Sequence, residues 1–304
     1  MPDLDESLRA FLLSPYPPGA EILSASSYRP GYLEFPMRVE VQVPTGEVEC
    51  CVAKLDEQAE SIQREALALK ALGQIGLPVP NVLAGPVELP GTDWSRTAVF
   101  ISELPGEPLP WCGLTSLSEA DLTCRLLIQG VSHLHRLTDQ VRAHEVASAL
   151  PSATLAMELE EVRSHREVWA EDTLFAEAIG LLSIIIPEIE TPLVFSNGDY
   201  NPLNFLHQGE TLTGWIDFAG ACFEDPHIGF AKFLLWAPDE FGWGAGKKAG
   251  LVERWLYEKG ISRREFAPRL ALRCLSHLLE PTQSRRAQSG SFLRGLLEET
   301  VAFM

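Results

Sequence analysis

Residues 193–233 read LVFSNGDYNPLNFLHQGETLTGWIDFAGACFEDPHIGFAKF. Three oxygen-bearing side chains stand out between its apolar runs: Asp199, Asn204 and Asp217. Two carboxylates and an amide oxygen form a hard ligand set. Such a set suits Mg²⁺, which takes few protein ligands and completes its shell with water and substrate phosphates. Taken singly, each of the three is an ordinary turn or strand-end residue. Their spacing carries the chemical reading.

The elements around them must bring them together. LNFLH and TLTGWID have the character of strands, separated by Gln208-Gly209-Glu210 as a tight turn. Pairing His207 with Thr211 sets Asp217 opposite Asn201, so the hairpin folds Asp217 back between Asp199 and Asn204. A second polar pair is expected earlier in the chain. Residues 36–43 and 47–55 alternate apolar and polar around Pro44-Thr45-Gly46, a hairpin pattern. On the second strand Lys54 shares a face with Cys50 and Val52. Residues 56–73 follow as a helix, with Asp56 as its N-cap and Gly73 or Gly76 at its end. Ile62, Leu69 and Leu72 mark the apolar stripe of that helix, and Glu65 lies within it. A Lys on an apolar face and a Glu in an apolar stripe each need a partner, and they answer one another. The bland alternative is a snorkelling Lys54 and a solvent-edge Glu65.

With these residues in view, the chain resembles the aminoglycoside phosphotransferase and choline kinase-like family, a branch of the protein-kinase-like fold. The resemblance rests on Asn197-Gly198-Asp199 running through to Asn204, then Ile216-Asp217-Phe218, then Asp225-Pro226. It implies that Asp199 is the catalytic base, that Asn204 and Asp217 hold Mg²⁺ on the phosphates, and that the Lys54–Glu65 pair holds the α- and β-phosphates. It also implies that AVFISELPG is the hinge between lobes, where adenine bonds backbone groups of Ser102 and Leu104. The implied reaction moves the γ-phosphate of ATP or GTP onto a hydroxyl of a small molecule. His135, in the segment LLIQGVSHLHRL, matches a structural position. It is not paired with His133 as a metal site, because residues two apart on a helix point apart.

Three departures from the family pattern qualify this reading. Asn197 stands where the family usually has His. The segment SASSYRPGYLEF before Lys54 holds one glycine, Gly31, where a richer loop would cover phosphate. Gly229 stands where an Asp often ties the following helix to the catalytic loop. These departures keep open an alternative, a nucleotide-binding pseudokinase or scaffold without turnover. A non-kinase interaction protein is the third reading, and it predicts no Mg²⁺-dependent nucleotide binding.

The chain has 304 residues, with apolar content of 46% and charged content of 22%, as expected of a globular protein. Mixed strand and helix signals run up to Leu104-Pro105-Gly106, and helical spacing dominates after it, at 117–138, 152–185 and from about 227 onward. A strand island interrupts at 192–218. The expected fold class is α+β, a two-lobe architecture with a sheet-rich lobe at 1–104 and a helical lobe at 105–304. Six cysteines without a C-x-x-C pair give no zinc pattern and read as reduced thiols. With no signal-like N-terminus and no long apolar run, the expected setting is cytoplasmic, without membrane. A net charge of −18 argues against nucleic acid as a partner and is compatible with a cationic acceptor, such as an aminoglycoside or amino alcohol. Candidate acids for binding such an acceptor are Asp239, Glu240 and Glu280. The aromatic tract LLWAPDEFGWGAG either borders the acceptor pocket or is a packed helix end. The sequence leaves the oligomeric state unknown.

Overall fold

The structure, a computed structural model, describes residues 4, 6–28, 36–89, 96–111, 114, 116–235, 249–279 and 287–304. Asp239, Glu240, Glu280, Cys112, Gly31 with most of the segment before Lys54, and most of the aromatic tract lie outside the described residues. The chain forms two compact units. The first comprises Met1–Glu107, Asp139–Leu150 and Asn204–Ala221, and the second Pro108–Thr138, Pro151–Leu203 and Cys222–Met304.

The first unit is built on a five-stranded antiparallel sheet. Its strands are β1 (Glu21–Ser27), β2 (Met37–Gln42), β3 (Val48–Asp56), β4 (Val82–Leu89) and β5 (Arg96–Ser102), in the order β1-β2-β3-β5-β4. The expected hairpin is present: β2 pairs β3 from Met37↔Ala53 to Gln42↔Val48. Alternation gives this sheet its faces. Met37, Val39 and Val41 of β2, Cys51 and Ala53 of β3 and Phe100 of β5 are buried with Leu8, Phe11 and Leu12 of helix α1 (Glu6–Leu13). Lys54, one residue on from Ala53, belongs to the other face of β3.

Helix α2 (Ala59–Gln74) packs on β3, β4 and β5 through Ile62, Ala66, Leu69 and Leu72, and Glu65 is buried in the same stripe at 1% exposure. It starts later than its N-cap signal suggests. Asp56 ends β3, and its carboxylate accepts from the Gln58 N–H (2.8 Å) and Ser61 Oγ (3.0 Å), bracing the turn into the helix rather than capping it. The helix ends at Ile75, and Gly76 takes the left-handed conformation (φ 85°) that stops it.

The second unit is mainly helical, with a small sheet in which Cys222–Glu224 pairs Val194–Ser196 antiparallel and Ser152–Ala153 parallel. Helix Leu117–Arg136 begins with a capping box between Ser116 and Glu119. The single helical stretch expected at 152–185 is instead three helices: Leu155–Ser164, Arg166–Trp169 and Thr173–Ile185. Local caps cut it. Thr154 Oγ1 takes the Met157 N–H, and Asp172 takes the N–H groups of Leu174 and Phe175. Helices Ile228–Leu235, Leu251–Lys259, Arg263–Leu279 and Ala287–Phe303 complete the unit. Among the described residues no helix is long and apolar enough to cross a membrane.

Candidate active site

In the first unit the strands Phe205–Gln208 and Thr211–Trp215 form the expected hairpin, but in a different register. The pairs are Thr211↔Gln208, Leu212↔His207, Gly214↔Leu206 and Trp215↔Phe205, with a bulge between Leu212 and Gly214. The turn is tighter than expected, only Gly209-Glu210, and the bulge adds one more residue to the returning strand. Both changes shift the pairing the same way. The Ile216 N–H donates to the Asn204 carbonyl (3.0 Å), so Asp217 arrives beside Asn204 and not opposite Asn201.

Asp217 is the one described non-glycine residue with positive φ, at 63°. That conformation costs about 1–3 kcal/mol and persists only where neighbours over-determine it. Three bonds do so here. Ile216 is tied to Asn204, Lys54 Nζ donates to Asp217 Oδ1 (3.0 Å), and the Phe218 N–H donates to Glu65 Oε1 (3.4 Å). The same Glu65 oxygen accepts from Lys54 Nζ at 2.6 Å. The expected Lys54–Glu65 pair is therefore present, and it is extended to Asp217. Burial works to lower the affinity of Lys54 for its proton, but the carboxylates of Glu65 and Asp217 outweigh it, and the ammonium is held above its ordinary range. The second carboxylate oxygen of Glu65, Oε2, is buried without a protein partner.

Close backbone approach seats this hairpin. The Trp215 N–H donates to the Pro78 carbonyl (3.0 Å), and Thr213 Oγ1 donates to the Pro105 carbonyl (2.9 Å). A Cβ on Gly106 (φ 116°) would lie 2.3 Å from Thr213 Oγ1, so this glycine of the expected hinge is there to let the hairpin approach. Ser102 closes β5, and its N–H is given to the Asn81 carbonyl (2.9 Å). Leu104 is half-buried, its side chain against the site of Gly214.

Among the described residues no group of three or more His, Cys, Asp and Glu could hold a metal alone. The donor set at the hairpin root is smaller: Asp217, half-exposed at 44%, and Asn204, buried at 7%. One carboxylate and one amide fit Mg²⁺, which keeps most of its shell for water and phosphate oxygens.

Asp199 belongs to the second unit, in the loop that leaves the short strand Val194–Ser196. Asn197, 1% exposed, braces that loop: its Nδ2 donates to the Asp199 carbonyl (2.9 Å) and its Oδ1 accepts the Asp199 N–H (3.3 Å). Gly198 (φ 80°) donates to Ser196 Oγ (2.9 Å). The carboxylate of Asp199 is exposed, and Lys232 Nζ donates to its Oδ1. Lys232 sits on helix Ile228–Leu235, IGFAKFLL, as the only charge in an apolar sequence. Sequence reading did not single it out, although it is as conspicuous there as Lys54 is on its strand. Burial pulls the Lys232 ammonium below its ordinary range, against the pull of Asp199.

Asp225, named in the Asp225-Pro226 step without a role, has a partner, Arg269, that was not singled out. The carboxylate of Asp225 accepts the N–H groups of His227 (2.9 Å) and Ile228 (3.1 Å), capping that helix. It also receives the Arg269 guanidinium through two bonds, at 2.9 and 2.6 Å. His135 is structural, as expected: its Nε2 meets the Tyr200 hydroxyl at 2.8 Å.

A sheet-bearing unit with a strand Lys bonded to a helix Glu, and an Asp–Asn pair on a following hairpin, is the plan of a protein-kinase-like phosphotransferase. The chain belongs to the phosphotransferase enzyme family, whose model matches residues 34–268. Solved structures agree on the fold. The aminoglycoside phosphotransferase APH(4)-Ia is similar with a TM-score of 0.69 at 14% identity, over 98% of each chain. The GDP and kanamycin complex of APH(2")-IIIa is similar with a TM-score of 0.58 at 18% identity, over 96% of this chain and 97% of that one. A putative aminoglycoside phosphotransferase from Ralstonia eutropha JMP134 has a TM-score of 0.59 at 15% identity, over 98% of this chain and 97% of that one. No curated protein sequence matches the chain. The protein is thus an enzyme that transfers phosphoryl groups to hydroxyls of small molecules.

Proposed function

We propose that the enzyme moves the γ-phosphate of ATP or GTP onto a hydroxyl of a small acceptor, with Asp199 as the base. The observation that carries this is the Glu65–Lys54–Asp217 chain of bonds, which ties the strand Lys to the hairpin bearing the metal-type ligands. Nucleotide use is further supported by a ternary complex of a related fold, an APH(4)-Ia variant with AMP-PNP and hygromycin B.

In this reading Lys54, held by Glu65, meets the α- and β-phosphates. Asn204 and Asp217 would hold Mg²⁺, which when bound neutralises phosphate charge. Adenine would be read by backbone groups of Ser102 and Leu104. Because the Ser102 N–H is given to Asn81, the contact at that residue falls to its carbonyl. Asp199 orients the acceptor hydroxyl and takes its proton as the new bond to the γ-phosphorus forms and the bond from that phosphorus to the β–γ bridging oxygen breaks, releasing the nucleoside diphosphate. Phosphoryl transfer of this kind depends on positioning and charge more than on covalent help.

The test is a thermal melt with and without Mg²⁺ and nucleotide, joined to ATP-consumption assays over hydroxylated metabolites. A stabilised protein and acceptor-dependent turnover are expected, and Asp199→Asn should lower turnover by about 10²–10⁴-fold. Stabilisation without turnover would favour the pseudokinase alternative. No stabilisation at millimolar nucleotide would remove both.

A further inference from the structure

The charge beside the proposed base has a sign that the composition of the chain does not suggest. The net charge is −18, which would draw cations toward the protein from a distance. Long-range attraction is screened within about 10 Å at moderate salt. Selection among bound acceptors is therefore set by the charges that touch them.

A charge that touches Asp199 is Lys232. Its position on the helix is fixed. Gly229, three residues earlier and on the same helical face, receives the ring of Tyr200, while Lys232 receives the carboxylate of Asp199. Two consecutive loop residues are thus held by two positions one turn apart. Lys232 is 20% exposed and Asp199 50%, so the carboxylate faces solvent and the ammonium lies behind it. Among the described residues Glu224 acts on that ammonium with opposite charge and Arg273 with like charge, and burial disfavours the charged form of Glu224.

A polyamine acceptor brings its own ammonium groups next to the hydroxyl that reacts. Here the position beside the base is already filled by an ammonium of the protein. A second one would meet like charge in a site from which the acceptor has displaced water. A neutral polyol meets no such penalty, and an acceptor carboxylate near the hydroxyl would meet a poorly hydrated cation that gains from it.

Resting on the phosphotransferase reading above, we propose that Lys232 is a specificity-determining residue of the acceptor site, selecting hydroxyls flanked by neutral or anionic groups over those of polycationic acceptors such as aminoglycosides.

The experiment measures kcat/KM for full-length protein with Mg²⁺ and ATP over three probe sets: sugars and glycerol, the hydroxy acids glycerate and gluconate, and the aminoglycosides kanamycin and hygromycin B. The same sets are run on Lys232→Glu and Lys232→Gln. Each result is read as a ratio between sets within one variant, so a general loss of activity cancels, and Lys232→Gln serves if Lys232→Glu does not fold. The wild type should favour a neutral or hydroxy-acid probe over both aminoglycosides by about tenfold or more. The ratio should move toward aminoglycosides by about ten- to a hundredfold in Lys232→Glu, and less in Lys232→Gln. Wild-type preference for the aminoglycosides, or a ratio unmoved in the variants, overturns the inference and leaves the phosphotransferase reading intact. Absence of any turnover and of any stabilisation by Mg²⁺-nucleotide overturns that reading, and the inference with it.

Discussion

The ring of Tyr200 occupies the space that a side chain at position 229 would need. A Cβ on Gly229 would lie 2.4 Å from Tyr200 Cε2 and 2.5 Å from Cδ2. Tyr200 is 1% exposed, packed on Phe230 (ring centroids 5.6 Å apart) and bonded through its hydroxyl to His135. The ring therefore cannot step aside. The missing Asp of the family pattern is replaced by a packing contact, which ties helix to loop without a polar link. Gly229→Ala is expected to cost about 1–3 kcal/mol by overpacking, read as a lowered midpoint in urea. Combining it with Tyr200→Val, which empties the space, should give a non-additive pair in which the second change recovers part of the loss. Simple additivity would show that the two positions do not share that volume.

Lys54 should separate the stability of the first unit from the activity of the enzyme. Lys54→Met leaves Glu65 buried without its cation, and breaking one side of a buried pair costs about 3–5 kcal/mol. The double variant Lys54→Met with Glu65→Met replaces both charges by apolar groups and should regain most of that stability. It should regain no turnover, because the cation proposed to meet the phosphates is gone. Denaturation and ATP-consumption assays on the same samples check both halves. Recovery of turnover in the double variant would remove Lys54 from the phosphate site.

The parts legible in sequence were those with a local signal. Alternation exposed β2 and β3, and the clash between charge type and apolar stripe exposed Lys54 and Glu65. The D-x-x-x-x-N spacing exposed Asp199 and Asn204. Register was not legible. A two-residue turn against a three-residue one, plus one bulge, decides which residue Asp217 stands beside, and no residue type announces a bulge at Thr213. The recruitment of residues 204–221 into the first unit is likewise a long-range matter, settled by contacts such as Trp215 to Pro78. Lys232 carried the same signal as Lys54, a lone Lys among apolar residues, and was readable on the same grounds.

Asp225 and Arg269 should dominate the stability of the helical unit. They are 2% and 3% exposed, joined by two hydrogen bonds, and Asp225 also caps helix Ile228–Leu235. Asp225→Ala removes the cap and leaves a buried guanidinium unpaired, for a loss of about 3–5 kcal/mol. Asp225→Asn keeps an oxygen for the two backbone N–H groups and should lose less. Urea denaturation should order the variants wild type, Asn, Ala. Equal losses for Asn and Ala would mean that the cap contributes nothing beyond the ion pair.

Acid should weaken the protein through two histidines behind the loop of Asp199. The indole N–H of Trp255 can only donate, and it donates to His227 Nδ1 (3.2 Å), so that nitrogen must stay unprotonated. Burial pushes His227 down to about 4 and His135 down to about 3. In the unfolded chain both titrate near 6.5. As pH falls below that value the unfolded chain takes up protons that the folded one refuses, so stability drops from about pH 6.5 down to the folded-state values. Each tenfold loss of proton affinity on folding corresponds to about 1.4 kcal/mol, so the two histidines together amount to several kcal/mol. Buried Glu224 and Glu158 act in the opposite direction, because burial raises their pKa values and their contribution grows as the pH falls. The histidine contribution is isolated by His227→Gln, whose amide has no titration in this range. Thermal melts between pH 8 and pH 4.5 should show the wild type losing stability below about 6.5, and the variant losing it less steeply. Parallel curves would mean that His227 is already charged in the folded protein, which the bond from Trp255 forbids.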